Sequence, residues 1–508
     1  MQRRFNITGA CDSKRHFMVD ITHRLDAACQ MVERGDYFSV NRARQYGKTT
    51  MLQALSARLR ADYLVVATSF QKYSSAVFSD ESVFAQTFAR DFDALVSAQE
   101  TLEPLGMCNG LTDLFVKLSA TCAKATRPIV LIIDEVDQAS NNQVFLDFLG
   151  QLREYYLTRD VTPTFQSVIL AGVYDIRNLR VKIRPDEQHR YNSPWNIAEQ
   201  FDVDMGFSAD DIAGMLHEYQ KEHPEVSFDL GRAAQAISDY AGGYPYLVSA
   251  ICKLLDERLH AWTPEDIGRA VGVLLRAPNT LFDDLVKQIN EYPELRKMLR
   301  AMLFNGAVYP YNFYNQTMNL GTMFGYLVDD GGNVAVANRV FETFLYNYFI
   351  SEDLTSGIES KIEAPEKNQF VRGGKLDMEH VLARFVEYFE DVFGDADDGF
   401  VEENGRRLFL LYLKPIINGT DNYYVEARTR NRRRTDVVVD YAGEQYIIEL
   451  KIWRGDKYRE AGEQQLADYL HGYRQAEGYL LSFNFNRDKQ PGMRTIECDG
   501  CTIVEAMV

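Results

Sequence analysis

The chain has 508 residues, too many for one hydrophobic core, and at about 150 residues per domain it predicts roughly three or four domains. Hydrophobic residues make up 46% and charged residues 25% of the sequence, without a low-complexity run, which excludes a disordered or fibrous protein. A net charge of -18 argues against indiscriminate binding to nucleic acid, so any such contact has to be local.

The sequence shows no targeting signal, and we expect a cytoplasmic protein without a membrane partner. The N-terminus lacks the apolar core of a signal peptide, and no stretch approaches the ~18 apolar residues of a membrane span. Seven cysteines are scattered and odd in number, which favours reduced thiols. Cys498 and Cys501 have the spacing of half a zinc site, but no second half is evident.

Up to about residue 200, short apolar strands alternate with longer helical patterns. This order predicts an α/β domain with a parallel sheet. The strands consist of uninterrupted apolar runs, which are typical of central strands covered on both faces. The candidate strands are residues 37–40, 63–67, 129–133 and 167–171.

The pattern becomes helical after residue 200. Ser208 and Asp211 form a predicted capping box, and helices continue through Leu254. Residues 280–355 read as helices followed by a hairpin over residues 325–336, whose Gly-Gly pair is a turn signal. That order suits a winged-helix module.

A charged, aperiodic segment over residues 357–375 predicts a linker. A new domain follows over residues 376–508. Its pattern is an amphipathic helix, a second helix around residues 408–413, three strands, a helix near 459–474 and a strand over 479–483.

The first candidate site is a strand, a loop and then Gly-Lys-Thr at the start of a helix. In this arrangement backbone N–H groups cradle phosphate oxygens, Lys48 reaches the β and γ phosphates, and the Thr49 hydroxyl binds Mg²⁺. Arg42 stands where the usual pattern has its first glycine. The predicted nucleotide contacts of the loop are Arg44, Gln45, Tyr46, Gly47, Lys48, Thr49 and Thr50.

A second element is the apolar strand 129–133, which ends in two acids. Asp134 is expected to hold the Mg²⁺ shell and Glu135 to polarise the attacking water. The alternative is that both acids only end a strand and cap the next helix. The two motifs together favour the nucleotide site.

With these motifs, residues 15–355 resemble the P-loop ATPases of the AAA-like and archaeal-type group. Residues 167–178 are similar to the strand that carries the γ-phosphate sensor, and Gly242-Gly243-Tyr244-Pro245 is similar to the lid element at the nucleotide base. The resemblance implies ATP and Mg²⁺ as cofactors, with Pro245 near the nucleotide. It also implies a P-loop ATPase core over residues 1–200, a helical lid over 201–275 and a winged-helix-like module over 276–356.

A second candidate site lies on two short strands near the C-terminus. If the turn between them pairs Tyr441 with Glu444, the antiparallel register places Asp436 opposite Glu449, with Cβ atoms about 5 Å apart. Opposed carboxylates destabilise a sheet unless a cation lies between them, and a divalent metal meets that need. Lys451 falls on the same face as Glu449, so the trio suits the activation of water against a phosphodiester.

This pattern resembles the PD-(D/E)XK nuclease fold over residues 376–508. The resemblance implies a further acidic metal ligand from a helix, for which Glu402 or its neighbour Glu403 is the candidate, and a catalytic polar position at Gln464. Mg²⁺ or Mn²⁺ would serve as the metal, and the arginine run over 428–434 could hold a nucleic-acid backbone. The alternative is that Asp436 and Glu449 are exposed strand residues with Lys451 as an electrostatic partner.

The leading hypothesis is an ATPase coupled to a Mg²⁺-dependent nuclease that acts on nucleic acid, with DNA favoured over RNA. In the rival hypothesis, a nucleotide-controlled switch or scaffold uses its C-terminal domain to bind nucleic acid or protein without cleaving. The sequence leaves the oligomeric state open, a homo-oligomer included.

Overall fold

The structure is a computed structural model. The residues it describes are 3–139, 142–173, 195, 197–304, 307–355, 369–373, 375–393, 405, 408–410, 412–413, 416, 422–424, 437–441, 444–452, 456–473, 475–484 and 491–508.

A five-stranded parallel sheet organises the N-terminal half and confirms the α/β prediction. Its apolar strands are buried along nearly their whole length, as expected for strands covered on both faces. The order is β2-β3-β4-β1-β5, so the first strand of the chain lies between β4 and β5. The strands are β1 Phe38–Asn41, β2 Leu64–Ser69, β3 Ile129–Asp134, β4 Ser167–Gly172 and β5 Glu199–Gln200.

Helices cover both faces of this sheet and create two hydrophobic cores. One core packs the first two helices against side chains such as Val40 and Ile132. The other packs the next three helices against the opposite face, where residues such as Phe84 and Phe148 are fully buried. The helices are α1 Thr22–Arg34, α2 Lys48–Leu59, α3 Glu81–Ser97, α4 Leu111–Lys124 and α5 Gln143–Leu157.

The following segment is helical and contains the predicted hairpin. Ser208 and Asp211 exchange both hydrogen bonds of the capping box, which confirms that prediction. The hairpin consists of β6 Leu327–Asp330 and β7 Asn333–Val336, joined by Gly331 and Gly332 at positive φ. The helices are α6 Ala209–Glu222, α7 Leu230–Ala241, α8 Pro245–Leu254, α9 Pro264–Arg276, α10 Thr280–Glu291, α11 Pro293–Phe304, α12 Gln316–Met323 and α13 Arg339–Thr355.

A mixed six-stranded sheet forms the C-terminal part, after a short pair of strands and a helix. The order β10-β11-β12-β13-β15-β14 includes a final hairpin that the sequence analysis missed. Its signal was Asp499-Gly500, a dipeptide that favours a tight turn and has positive φ at both residues. The elements are β8 Val371–Arg372, β9 Lys375–Leu376, α14 Met378–Phe393, β10 Asn422–Tyr424, β11 Val437–Tyr441, β12 Glu444–Ile452, α15 Asp456–Tyr473, β13 Glu477–Phe483, β14 Gly492–Cys498 and β15 Cys501–Met507.

The chain divides into two compact units. The first comprises Met1–Ser238, Gly243–Lys253 and Thr322–Gly325; the second comprises Asp239–Gly242, Leu254–Gly321 and Tyr326–Val508. The five segments expected from the sequence, with their boundaries, remain predictions.

Candidate functional site

The loop between β1 and α2 has the backbone shape of an anion cradle. Gln45 and Gly47 both lie in the left-handed region, with φ of 57° and 82°. Residues that alternate between right- and left-handed conformations turn successive N–H groups toward one point, where they bind phosphate. A Cβ on Gly47 would meet no atom within 4 Å, so its φ, and not lack of space, favours glycine there.

Lys48 is the first residue of α2, directly after this loop, and is only 5% exposed. Its Nζ donates to the carbonyl oxygens of Arg42, at 3.0 Å, and Ala43, at 2.9 Å. Burial lowers the pKa of Lys48, while the nearby carboxylates of Glu135, Asp137 and Asp134 oppose that shift. The ammonium is therefore held by neutral loop carbonyls beside a group of acids.

Arg42 occupies the first-glycine position without distorting the loop. Its guanidinium donates to the carbonyl oxygens of Phe201, at 3.1 Å, and Val203, at 2.9 Å. The φ of Arg42 is negative, so this position does not require the left-handed conformation that glycine adopts easily. These bonds hold the loop against the segment after β5. The anion cradle is formed by the residues that follow Arg42.

Thr49 and Asp134 meet at the carboxyl end of β3. The Thr49 Oγ1 donates to Asp134 Oδ2 at 2.7 Å, and the other oxygen, Oδ1, accepts from the backbone N–H of Glu135 at 2.9 Å. Two ligands of an octahedral magnesium ion, with bonds of about 2.0–2.1 Å, lie roughly 2.9 Å apart. The spacing of these two oxygens fits the coordination shell of Mg²⁺.

Glu135 follows with an unusual backbone conformation. Its φ is 54°, which is uncommon for a residue other than glycine and tends to occur at functional sites. Burial raises the pKa of Glu135, and Lys48 acts in the opposite direction. The structure thus brings the predicted base close to the predicted phosphate-binding lysine.

Asp137 is a third acid of this site that the sequence analysis missed. Its Oδ2 accepts from the backbone N–H of Val173, at 2.6 Å, and its charge acts on Lys48. The signal was the run Asp134-Glu-Val-Asp137, which places three acids within four residues. The expected sensor positions after Val173, at residues 175–178, lie outside the described residues.

The predicted lid element, residues 242–245, lies against the loop between β1 and α2. Tyr244 donates its hydroxyl to the carbonyl oxygen of Arg44 at 2.5 Å, and its ring meets Tyr46 edge to face at 4.8 Å. Pro245, the first residue of α8, is buried beside them. Thr50, in the first turn of α2, accepts from the backbone N–H of Cys11 at 3.0 Å.

A cavity of about 430 Å³ opens beside the Thr49–Asp134 pair. Its walls come from α2, from the carboxyl ends of β2 and β3, and from the turn after β2. Eight of the eleven lining residues are polar or charged, which suits hydrated ions and phosphate better than an apolar ligand. The lining includes Thr49, Gln53, Ser56, Arg60, Thr68 and Asp134.

The register of β11 and β12 agrees with the prediction. Tyr441 pairs with Glu444, and the pairing continues to Val437 opposite Ile448. Asp436 lies just outside the described residues.

Glu449 and Lys451 form an ion pair on β12. Lys451 Nζ lies 2.8 Å from Glu449 Oε1, which confirms that both side chains occupy one face. Glu449 is fully buried, so the alternative of an exposed strand carboxylate is wrong for this residue. The reason is that β12 is a central strand, and Leu466 of α15 packs with Ile447 beside it.

Gln464 of α15 points toward the final hairpin. Its amide donates to the carboxylate of Asp499, in the turn between β14 and β15. Gly462, on the same helix, lies near Lys451, because a Cβ on Gly462 would be 3.5 Å from Lys451 Cγ. The other predicted groups, Glu402, Glu403 and the arginine run over 428–434, lie outside the described residues.

A second buried carboxylate shares this sheet face. Glu505 on β15 is fully buried, accepts from Ser482 Oγ at 2.7 Å, and pairs with Arg494. The register aligns Glu449, Leu480 and Glu505 across three strands. The sequence analysis missed Glu505, although one acid within an otherwise apolar strand signals a buried polar pair.

In the part of the chain that the structure describes, no three His, Cys, Asp or Glu side chains form a metal-binding group. Among the described helices, none is both long and apolar enough to cross a membrane.

Several solved structures are similar to this chain. A Walker-type ATPase of Pyrococcus abyssi is similar in structure, with a TM-score of 0.50 and 14% identity over 67% of this chain and 99% of that one. The ORC2 protein of Aeropyrum pernix, solved in ADPNP–ADP complexes, has a TM-score of 0.40 and 12% identity over 69% and 97%. The ORC1 protein of Aeropyrum pernix, solved with DNA, has a TM-score of 0.31 and 13% identity over 66% and 94%.

No curated protein matches the chain. A family model described as an AAA-like domain matches residues 8–264, just over half of the sequence. That range contains the parallel sheet, the phosphate cradle with Lys48, the Thr49–Asp134 pair and the Tyr244–Pro245 element. The chain therefore belongs to the AAA-like domain family.

Proposed function

We propose that the chain hydrolyses ATP with Mg²⁺ at the loop between β1 and α2. The observation that carries the proposal is the 2.7 Å contact between Thr49 and Asp134 beside the buried Lys48. A metal there would neutralise charge on the β and γ phosphates. Lys48 would bind the same phosphates, and Glu135 would accept the proton of the attacking water.

The proposed role of Glu135 can be tested by separating binding from turnover. We expect Glu135→Gln to lower kcat for ATP by about 10²–10⁴-fold, because an amide cannot take up the proton. Nucleotide affinity should stay within about threefold, since the phosphate cradle is unchanged. The measurement is steady-state phosphate release together with binding of a fluorescent ATP analogue.

The matched control is Glu154→Gln, which changes an exposed glutamate on α5 and should leave kcat unaltered. Turnover by Glu135→Gln at the wild-type rate would remove Glu135 from the mechanism. Loss of nucleotide binding in the same variant would assign Glu135 to the cradle instead.

We further propose that the C-terminal sheet carries a metal-dependent nuclease site that acts on DNA or RNA. The supporting observation is the buried Glu449–Lys451 pair on β12, which pairs with β11 in the predicted register as far as Val437. If Asp436 faces Glu449, the two carboxylates need a cation between them. Lys451 would then stabilise charge on the phosphodiester as a bound water attacks.

The direct test uses the purified full chain on labelled DNA and RNA, with Mg²⁺ or Mn²⁺ and with or without ATP. Asp436→Ala is expected to abolish metal-dependent cleavage while the chain stays folded. Glu497→Ala, an exposed acid on β14, is the control and should cleave like wild type. Equal cleavage by Asp436→Ala and wild type would exclude this site.

A second candidate function is a nucleotide-controlled scaffold whose C-terminal domain binds without cleaving. The observation in its favour is that Gln464 bonds to Asp499, and not to the Glu449–Lys451 pair. Nucleic-acid binding by the wild type without cleavage in either metal would support this function. An ATP-dependent change in cleavage would support the coupled enzyme.

A further inference from the structure

The turn that ends α12 contains a glycine in the left-handed conformation. The backbone N–H of Tyr326 donates to the carbonyl oxygen of Gly321, and that of Gly325 donates to the carbonyl oxygen of Thr322, both at 2.9 Å. These two bonds form the Schellman motif that commonly ends a helix, and its left-handed position is Gly325, with a φ of 75°. The backbone geometry at the end of α12 therefore favours glycine at this position.

The same glycine also lies very close to the loop between β1 and α2. A Cβ on Gly325 would lie 2.8 Å from Ala43 Cβ and 3.3 Å from Tyr244 Cε2. Carbon atoms in contact normally lie about 3.5–4.0 Å apart. Any side chain at Gly325 would therefore push on Ala43, which is only 4% exposed. All three residues belong to the first compact unit.

Both neighbours of Gly325 make hydrogen bonds within the candidate nucleotide site. The carbonyl oxygen of Ala43 accepts from Lys48 Nζ at 2.9 Å, and the Tyr244 hydroxyl donates to the carbonyl oxygen of Arg44 at 2.5 Å. A displacement of Ala43 would move a carbonyl that holds the Lys48 ammonium in place. Only Ala43 therefore separates Gly325 from the predicted phosphate-binding lysine.

We propose that Gly325 is a positioning residue of the nucleotide site and acts through Ala43 on Lys48. This role depends on the ATP site proposed above. The absence of a side chain at Gly325 lets the loop keep the shape in which Lys48 can reach the β and γ phosphates. A misplacement of about 1 Å, even far from the reacting atoms, can lower the rate about 10²-fold. The turn that ends α12 thus controls how well the loop binds nucleotide.

The test compares variants that add a Cβ at one of two left-handed glycines. Gly325→Ala is expected to weaken binding of a fluorescent ATP analogue at least about tenfold, because its Cβ displaces Ala43. Gly325→Asn should weaken binding as much, since asparagine adopts the left-handed conformation more readily and keeps the close contact. The matched control is Gly332→Ala, at a φ of 91°, where a Cβ would meet no atom within 4 Å. It bears similar backbone strain and should bind like wild type.

A compensating substitution separates positioning from a general loss of stability. Ala43→Gly removes the atom that the new Cβ would meet. The double variant Ala43→Gly, Gly325→Ala should therefore bind the analogue within about threefold of Ala43→Gly alone. Urea unfolding reports stability, which the strain at Gly325 should lower whether or not the Ala43 methyl group is present.

Four outcomes would overturn the positioning role. Wild-type affinity in both Gly325 variants would remove it, and so would a double variant that binds as weakly as Gly325→Ala. Equal weakening in Gly332→Ala would assign the effect to backbone strain. Absence of nucleotide binding by the wild type would overturn the ATP site itself, whereas the other three outcomes leave that site standing.

Discussion

Replacing Lys48 by alanine is expected to abolish measurable ATP turnover. The ammonium is nearly fully buried and held by the carbonyl oxygens of Arg42 and Ala43, so no flexible surface lysine can take its place. Removal of one preorganised cation or donor from a transition state costs about 10²–10³-fold in rate. We expect at least that loss, measured as phosphate release at saturating ATP and Mg²⁺.

Lys48→Arg is expected to be inactive as well. A planar guanidinium is larger than an ammonium and cannot occupy the same enclosed position between the loop carbonyls. Lys124→Ala removes an exposed lysine of α4 that pairs with Glu103, and it should hydrolyse ATP like wild type. Retained turnover in Lys48→Ala would overturn the assignment of the phosphate site.

Replacing Lys451 by methionine is expected to destabilise the C-terminal sheet strongly and to abolish cleavage. Glu449 is fully buried, whereas the Lys451 side chain is 32% exposed. Loss of the lysine removes one cation from a buried carboxylate, and breaking a buried ion pair typically costs about 3–5 kcal/mol. Glu449→Gln should cost less, because the remaining ammonium can turn toward water.

Magnesium should distinguish these two variants. If the ion binds at Glu449, it supplies the missing positive charge, and Mg²⁺ at about 100 times its Kd would restore about 2.7 kcal/mol to Lys451→Met. Glu449→Gln lacks the carboxylate and should gain much less. The measurement is urea unfolding of the full chain, with and without Mg²⁺, followed by circular dichroism.

The matched control is Lys375→Met. It breaks the exposed ion pair of Lys375 with Glu444, at the start of the same strand, and should cost no more than about 1 kcal/mol. Stability of Lys451→Met equal to that of wild type would contradict the argument from burial. Equal gains from Mg²⁺ in both variants would place the metal elsewhere.

Much of the first unit could be predicted from local patterns. The four main strands begin and end within two residues of their expected positions, because apolar runs and the residues that end them act locally. Glu505 was missed for a different reason. Its role depends on Ser482 and Arg494, which lie on other strands and contact Glu505 only in the folded sheet.

The register of β11 with β12 could also be predicted, since a tight turn determines which residues face each other. The partner of Gln464 could not be predicted from the sequence. A helical side chain can reach several neighbours, and the position of the final hairpin places Asp499 within its reach.

The sequence by itself determined which residues can cradle a phosphate and which acids end a strand, because backbone conformation and hydrophobic periodicity depend on near neighbours. Only the tertiary structure decided that Lys48 and Glu449 are buried, and that Thr49 meets Asp134. Burial and long-range contacts depend on packing between segments far apart in the chain. Burial and long-range contacts set the pKa of each charged group and the strength of its interactions. They therefore determine the chemistry that each group can perform.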